Sequence, residues 1–151
     1  MADITNQSLN EIIENVKTKK VSSTELTKAY VKNIESAKKL NAFVTTTFDQ
    51  ALDNAKQFDN KPNFDQLLPG IPLAVKDLFC TENTKTTAGS NILNNFIPSY
   101  ESTVTKNLWD HGSFLLGKLN CDEFAMGSSN ETSYYGNVIN PVGDQLVPEL
   151  Q

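Results

Sequence analysis

A short apolar segment that ends in a lysine constrains the fold of this chain more than any other stretch. Residues 73–75 are Leu-Ala-Val, they follow the turn-forming pair Pro69-Gly70, and they lead directly into Lys76. Consecutive apolar residues of this kind predict a strand that is buried on both faces, as in an α/β sheet. Ligands of open α/β sheets bind at the carboxyl ends of the strands, so Lys76 is a candidate for chemistry. Taken alone, a lysine at a strand end is more often a solvated charge.

A helix is predicted between this strand and the next one. Ser102 is a candidate cap for a helix that ends at Asp110. Val104 and Leu108 would form its inner face, and Gly112 would terminate it.

The second strand of the pattern is residues 114–117, which are apolar and glycine and lead into Lys118. A strand, a helix and a strand form a βαβ unit, whose right-handed crossover implies two parallel strands. We therefore expect Lys76 and Lys118 to end their strands on the same edge of the sheet.

The amino-terminal residues 1–60 have a helical pattern. Ser8 and Ser22 each stand three residues before a glutamate, which is the spacing of a capping box, and apolar residues recur at helical intervals after both. Asp49 is a candidate cap for a third helix that ends near Phe58, after a predicted strand in residues 42–47. The side chains predicted to face inward from the first two helices are Leu9, Ile12, Ile13, Val16, Leu26, Tyr30 and Ile34.

Two later segments lack a sustained period. Residues 81–102 predict a loop, and a loop of this length in a compact domain is more often functional than idle. One helical turn is predicted at residues 122–126, and the residues that follow it, 127–130, are small and polar. Such residues can line a pocket through backbone and hydroxyl hydrogen bonds, although by composition alone they more often form a turn.

Composition excludes several classes of function. The 18 acidic residues outnumber the 13 basic ones and give a net charge of -5, which argues against direct binding to nucleic acid. Cys80 and Cys121 lack CxxC spacing, and with the single His111 they provide too few ligands for a zinc site. We expect two reduced thiols and a cytoplasmic protein, because the start lacks the positive charge of a signal peptide and no apolar run approaches a membrane span.

Three segments, in this order, resemble the amidase signature family: residues 70–77, 117–129 and 137–141. The likeness extends to residues 86–90 and 100–104. It implies an α/β fold in which amino-terminal helices precede the first part of an amidase-type sheet core with helices on its faces. The whole of 1–151 would form a single incomplete domain, with a helical region at 1–60 and the start of the core at 61–151.

The resemblance also implies a mechanism and its residues. Amidases of this family activate a serine nucleophile through a second serine and a lysine, and Lys76 stands at the position of that lysine. The lysine must be neutral near neutral pH to act as a base, and burial beside hydroxyl groups favours the neutral amine. Met126, Gly127 and Ser128 match the segment that lies along the substrate.

Within the family, the likeness is strongest to glutamine-hydrolysing A subunits of heterotrimeric, tRNA-dependent amidotransferases. This implies B and C subunits as partners and glutamine as the substrate. Contact with tRNA would be only indirect, through a partner subunit, and no membrane would be involved. No cofactor is expected on this chain, because ATP and magnesium would bind to a partner subunit.

The chain departs from the family pattern near its end. Residues 146–148 resemble the approach to a Gly-Gly-Ser-Ser-Gly-Gly-Ser segment that brings the relay serine, yet that segment is absent from the 151 residues. We therefore expect an inactive, amino-terminal part of such a subunit. Leu119 and Val142 are smaller departures, where threonine and tryptophan are expected. Two alternatives stay open: a non-catalytic remnant that holds a partner through its helical start, and another amide hydrolase of the same family.

Overall fold

The computed structural model describes residues 4–143 and residue 146. Within these residues the regular elements are α1 (Leu9–Lys17), α2 (Ser23–Ser36), β1 (Phe43–Thr46), α3 (Phe48–Asn60), β2 (Pro72–Lys76), α4 (Thr103–Asp110) and β3 (Phe114–Leu119). The predicted α/β class is confirmed. The predicted approach to the serine segment at 146–148 lies, except for Leu146, outside the described residues.

The three strands form one sheet in the order β1-β3-β2. The Phe114 N–H donates to the Ile71 carbonyl at 3.2 Å, and the Asp77 N–H donates to the Leu119 carbonyl at 2.9 Å. Both partners advance along the chain together, so β2 and β3 are parallel, as the βαβ pattern predicts. β1 pairs with the carboxyl half of β3 in the antiparallel direction, which makes the sheet mixed.

The chain divides into two compact units. The first consists of Met1–Ser36, Thr47–Leu73 and Asn107–Leu116. The second consists of Ala37–Thr46, Ala74–Lys106 and Gly117–Gln151.

The first unit has a core made by its helices. Ile12 and Val16 of α1 and Leu26 of α2 are buried together with Ile71. Ala51 and Ala55 of α3 are buried against Phe114 and Leu116 of β3. Six of the seven predicted inward-facing side chains are at least partly buried; Leu9, at the start of α1, is 48% exposed.

Capping boxes begin the first two helices, as predicted. The Ser8 N–H donates to the Glu11 carboxylate at 2.8 Å, and the Glu11 N–H donates back to the Ser8 hydroxyl at 3.4 Å. Ser22 and Glu25 make the same pair of bonds, at 2.9 and 3.1 Å. Local sequence is thus sufficient to start both helices.

Asp59 adds a long-range cap to α2. Its carboxylate oxygens accept the N–H groups of Ser23 and Thr24, each at 2.9 Å. The buried Ser23 hydroxyl donates to the Gly70 carbonyl at 2.6 Å. The first turn of α2 is therefore tied both to the end of α3 and to the turn before β2.

Two predictions about helices are wrong. Asp49 does not cap α3, because Thr47 is the residue before the first turn, and its hydroxyl donates to the Leu115 carbonyl at 3.1 Å instead. Val104 of α4 is 47% exposed, and its neighbour Thr105 is buried in its place. The cap predicted for α4 is confirmed, since the Thr105 N–H donates to the Ser102 hydroxyl at 3.2 Å.

Other predictions are correct only in part. Val75 is buried, whereas the residues at 73 and 74 are half-buried, because β2 is an outer strand of the sheet within the described residues. Lys118 does not end its strand, since β3 continues to Leu119. Residues 81–102 are irregular apart from an isolated bridge between Thr81 and Thr84 and a short 3₁₀ turn.

The predicted helical turn after residue 122 is a 3₁₀ turn at Glu123–Ala125. Phe124 and Ala125 have φ angles of 52° and 57°, so the chain leaves regular helix there. Across the described residues, no helix has the length and apolar character needed to cross a membrane.

Candidate active site

The predicted base, Lys76, is the last residue of β2 and is half-buried. It belongs to the second unit, as do Met126, Gly127 and Ser128. Those three residues are exposed, Met126 to 82%.

Asp77, the residue after Lys76, is fully buried. Its Oδ2 accepts the Thr87 N–H at 3.1 Å and a short hydrogen bond from the Thr87 hydroxyl. Its Oδ1 accepts no hydrogen bond from any described residue and lies 3.8 Å from Nζ of Lys118. Burial raises the pKa of the Asp77 carboxyl, and the Thr87 hydrogen bonds and the Lys118 charge offset only part of that rise.

Lys118 is a fully buried lysine inside β3. Its ammonium donates to the Phe79 carbonyl at 2.7 Å and to the hydroxyls of Thr81 and Thr86 at 3.1 and 2.8 Å. Burial lowers the pKa of Lys118, and the neighbouring Asp77 charge opposes that shift. The side chain therefore fixes the residues that follow Lys76 and does not reach solvent.

Residues 86–90, called the 86–90 segment below, connect the parts of this region. Thr86 and Thr87 bind Lys118 and Asp77 as described. The Ala88 N–H donates to the Asp77 carbonyl at 2.9 Å, and the Ala88 carbonyl accepts the Phe124 N–H at 2.8 Å. Two backbone hydrogen bonds thus link the residue after Lys76 to the turn that precedes Met126.

The rest of the 86–90 segment lies against the turn after residue 120. Gly89 has a φ of +67°, and a Cβ there would lie 2.5 Å from the Cys121 carbonyl oxygen, so only glycine fits without strain. The Ser90 hydroxyl donates to the Glu123 carboxylate at 2.5 Å. The 86–90 segment therefore contacts and supports the turn at Glu123–Ala125.

Asp122 is buried beneath the loop that follows this turn. Its Oδ2 accepts the N–H groups of Ser129 and Asn130 at 3.3 and 2.9 Å. Its Oδ1 accepts the N–H and the hydroxyl of Thr132 at 2.9 and 2.8 Å. Burial opposes the charge, but these hydrogen bonds together outweigh it and lower the pKa of Asp122.

Backbone hydrogen bonds thus join Asp77, which follows Lys76, to the turn before Met126. Contact between Lys76 and the loop around Ser128 stays a prediction. In the described part of the chain, no cluster of three or more His, Cys, Asp or Glu side chains is arranged to hold a metal ion. Cys80 and Cys121 are not joined by a disulfide.

Sequence reasoning missed the supporting roles of Asp77, Lys118 and Asp122. A signal existed for the first two, because a charged residue beside or within a buried apolar strand needs a partner. For Asp122 the signal was the run of small polar residues that follows it, because N–H groups of that loop donate to the Asp122 carboxylate.

The sequence profile of the Amidase family matches residues 25–148. This match covers most of the chain, and the chain therefore belongs to the amidase family.

One relative is a protein of Pelagibacter ubique (strain HTCC1062) that is named as the A subunit of glutamyl-tRNA(Gln) amidotransferase. The two sequences are 62% identical over 148 residues, and this alignment covers 98% of this chain and 30% of the Pelagibacter protein. The protein of the same name from Parvibaculum lavamentivorans is 54% identical over 143 residues, which are 93% of this chain and 29% of that protein. The chain thus spans about 30% of the length of these curated relatives.

A solved structure of the glutamyl-tRNA(Gln) amidotransferase A subunit from Thermotoga maritima has a similar fold. It superposes with a TM-score of 0.75 at 29% identity, over 99% of this chain and 30% of that one. A second structure, described as a vestigial protein complex that reveals the origins of an s-triazine catabolic enzyme, gives a TM-score of 0.83 at 31% identity, over 91% of this chain and 31% of that one.

Proposed function

We propose that this sequence forms part of the glutamine-hydrolysing A subunit of a glutamyl-tRNA(Gln) amidotransferase. The observation that carries the proposal is the 62% identity to the Pelagibacter protein over nearly the whole chain. In this proposal the complex acts in the cytoplasm and converts Glu-tRNA(Gln) to Gln-tRNA(Gln) with the ammonia that the A subunit releases.

The proposed base is Lys76. As a neutral amine it would take a proton from the serine nucleophile through the relay serine, and the serine oxygen would attack the side-chain amide carbon of glutamine. The lysine would return this proton, through the relay serine, to the leaving nitrogen; the carbon–nitrogen bond would break, and ammonia would depart to leave a glutamyl ester, which water would hydrolyse. Met126, Gly127 and Ser128 would lie along the glutamine.

Partners and cofactors follow from the same proposal. B and C subunits would complete the heterotrimer, and a partner subunit would bind ATP and magnesium and present the tRNA. The 151 residues contain no Gly-Gly-Ser-Ser-Gly-Gly-Ser segment, so we propose that a polypeptide of these residues alone does not hydrolyse glutamine.

The two alternatives are less well supported. Six of the seven apolar side chains in the helical start are at least partly buried within their own unit, which leaves little apolar surface there for a partner. An amide hydrolase of another kind is disfavoured by the common name of the two relatives described above.

A chimeric heterotrimer tests the proposal. Residues 1–151 would replace the corresponding part of the Pelagibacter protein, and ammonia release from glutamine would be measured with the B and C subunits present. Lys76→Ala should lower the rate by about 10²–10⁴-fold, the usual contribution of a positioned base. Lys38→Ala, which changes an exposed lysine of the same unit, should leave the rate unchanged.

A polypeptide of residues 1–151 alone should release no ammonia from glutamine. Turnover that Lys76→Ala abolishes in this polypeptide would show that a serine within it acts as the nucleophile. A chimera whose rate is the same with and without Lys76 would refute the proposed role of this lysine.

A further inference from the structure

The loop from Gly127 to Thr132 is exposed at both ends, buried at Asn130, and anchored through residues 129–132. Gly127 and Ser128 are exposed, whereas Asn130 is only 2% exposed. The anchor is the Asp122 carboxylate, which accepts four hydrogen bonds from Ser129, Asn130 and Thr132. The position of the exposed residues is thus fixed from beneath by one buried side chain.

Gly127 lies directly on this carboxyl group. A Cβ at residue 127 would lie 2.4 Å from both Cγ and Oδ2 of Asp122, closer than real side chains approach. The middle residue of the proposed substrate-facing segment therefore packs against the Asp122 carboxylate, and the space between them does not admit a side chain at residue 127.

The backbone around Asp122 also needs support. Phe124, Ala125 and Asn130 have φ angles of 52°, 57° and 60°, which residues with a Cβ adopt rarely. Such conformations persist where the surrounding contacts over-determine them. Two hydrogen bonds provide that support at Asn130: its N–H donates to the Asp122 carboxylate at 2.9 Å, and its side-chain oxygen accepts the Val138 N–H at 2.6 Å.

We infer that Asp122 is a positioning residue that holds Met126, Gly127 and Ser128 in place for the glutamine side chain. This inference rests on the proposed function. Asp122 takes no part in proton transfer, because its carboxylate is buried and its oxygens are occupied by the loop. Its removal should weaken glutamine binding more than it slows the chemical step.

Amide hydrogen exchange in the 151-residue chain tests the hold on the loop. In Asp122→Asn the N–H groups of Ser129, Asn130 and Thr132 should exchange at least about tenfold faster, since hydrogen bonds to a charged acceptor are lost. The Thr47 N–H, bonded to the Leu116 carbonyl at 3.1 Å in the first unit, should exchange at an unchanged rate. Unchanged exchange at all three loop positions would overturn the inference.

Steady-state kinetics of the chimeric heterotrimer test the link to glutamine. Asp122→Asn should raise KM for glutamine by about tenfold and change kcat by no more than about twofold. The matched control is Glu82→Gln, an exposed carboxylate of the same unit, which should change neither constant. A fall in kcat at constant KM, or no change in either constant, would overturn the inference.

Thr132→Val provides a milder variant if Asp122→Asn does not fold. It removes one donor to Asp122, together with the acceptor of the Glu123 N–H at 3.1 Å, and leaves the charge in place, so KM should rise by a smaller factor. An unchanged KM in Thr132→Val would count against the inference in that case. If the unmodified chimera releases no ammonia, the proposed function fails and the role in glutamine binding fails with it, whereas hydrogen exchange still decides whether Asp122 holds the loop.

Discussion

The Lys118 ammonium and the Asp77 carboxylate lie 3.8 Å apart, and neither side chain is accessible to solvent. This separation is too long for a hydrogen bond. The three ammonium protons are instead directed at the Phe79 carbonyl and two threonine hydroxyls, while Asp77 is held by Thr87. Charge attraction without a direct hydrogen bond thus joins the residue after β2 to the carboxyl end of β3.

Loss of the lysine from this pair should be strongly destabilising. Lys118→Met leaves the Asp77 charge buried without compensation, and the free energy of unfolding should fall by about 3–5 kcal/mol. Urea unfolding followed by the fluorescence of the single tryptophan, Trp109, measures this. Lys39→Ala, at an exposed lysine, should change stability by less than about 0.5 kcal/mol.

A second substitution distinguishes this charge effect from lost packing. Adding Asp77→Asn to Lys118→Met removes the uncompensated charge, so the double variant should be more stable than Lys118→Met alone. A double variant that is less stable by the sum of both single losses would contradict the role given to the pair.

The close approach at Gly89 should make this position intolerant of a side chain. Gly89→Ala places a methyl group 2.5 Å from the Cys121 carbonyl oxygen at a φ of +67°, and unfolding free energy should fall by about 1–3 kcal/mol. The comparison is Gly143→Ala, whose Cβ would meet the Leu146 side chain at an ordinary 3.4 Å. Equal stability of the two variants in urea would show that the 86–90 segment adjusts freely.

The long-range cap of α2 should contribute measurably to stability. Asp59→Ala removes the acceptor of the Ser23 and Thr24 N–H groups and should cost about 0.5–2 kcal/mol, the range measured for helix caps. Asp53→Ala removes another exposed aspartate of α3, whose only described partner is Lys56 at 2.9 Å, and should cost less. Circular dichroism during thermal unfolding would rank the two variants, and the reverse order would contradict the cap.

Acid should release the loop that Asp122 holds. The folded-state pKa of this carboxyl is lowered below its unfolded value, so its stabilising contribution is complete above the unfolded pKa of about 3.9 and is lost as pH falls through the folded pKa. Exchange of the Ser129, Asn130 and Thr132 N–H groups, corrected for intrinsic rates, should therefore accelerate on acidification. In Asp122→Asn this acceleration should be absent; its persistence would assign the effect to another group.

Local sequence was sufficient to predict the helices of this chain but not the contacts that fix its site. Capping boxes at Ser8 and Ser22 and the apolar periods after them depend on neighbours within a few residues, and these predictions are confirmed. Parallel pairing of β2 and β3 followed from the order of elements along the chain.

Predictions failed where a distant residue satisfies a polar group. The hydroxyl of Thr47 donates to the Leu115 carbonyl and does not cap α3. Lys118 is buried because the hydroxyls of Thr81 and Thr86, which lie in a loop without periodicity, accept its hydrogen bonds. A periodic pattern carries no information about such partners, because they are brought near only by the complete fold.

The position of β1 beside β3 sets the order in which this sheet can assemble. Thr46 pairs with Gly117, which lies 71 positions later in the chain. Closing so long a loop costs entropy before any pairing energy is gained, so this antiparallel pair should form late and slowly compared with the capped helices. During synthesis, the threonine-rich β1 leaves the ribosome well before its partner strand exists, and in that interval it is an unpaired strand open to pairing with other chains.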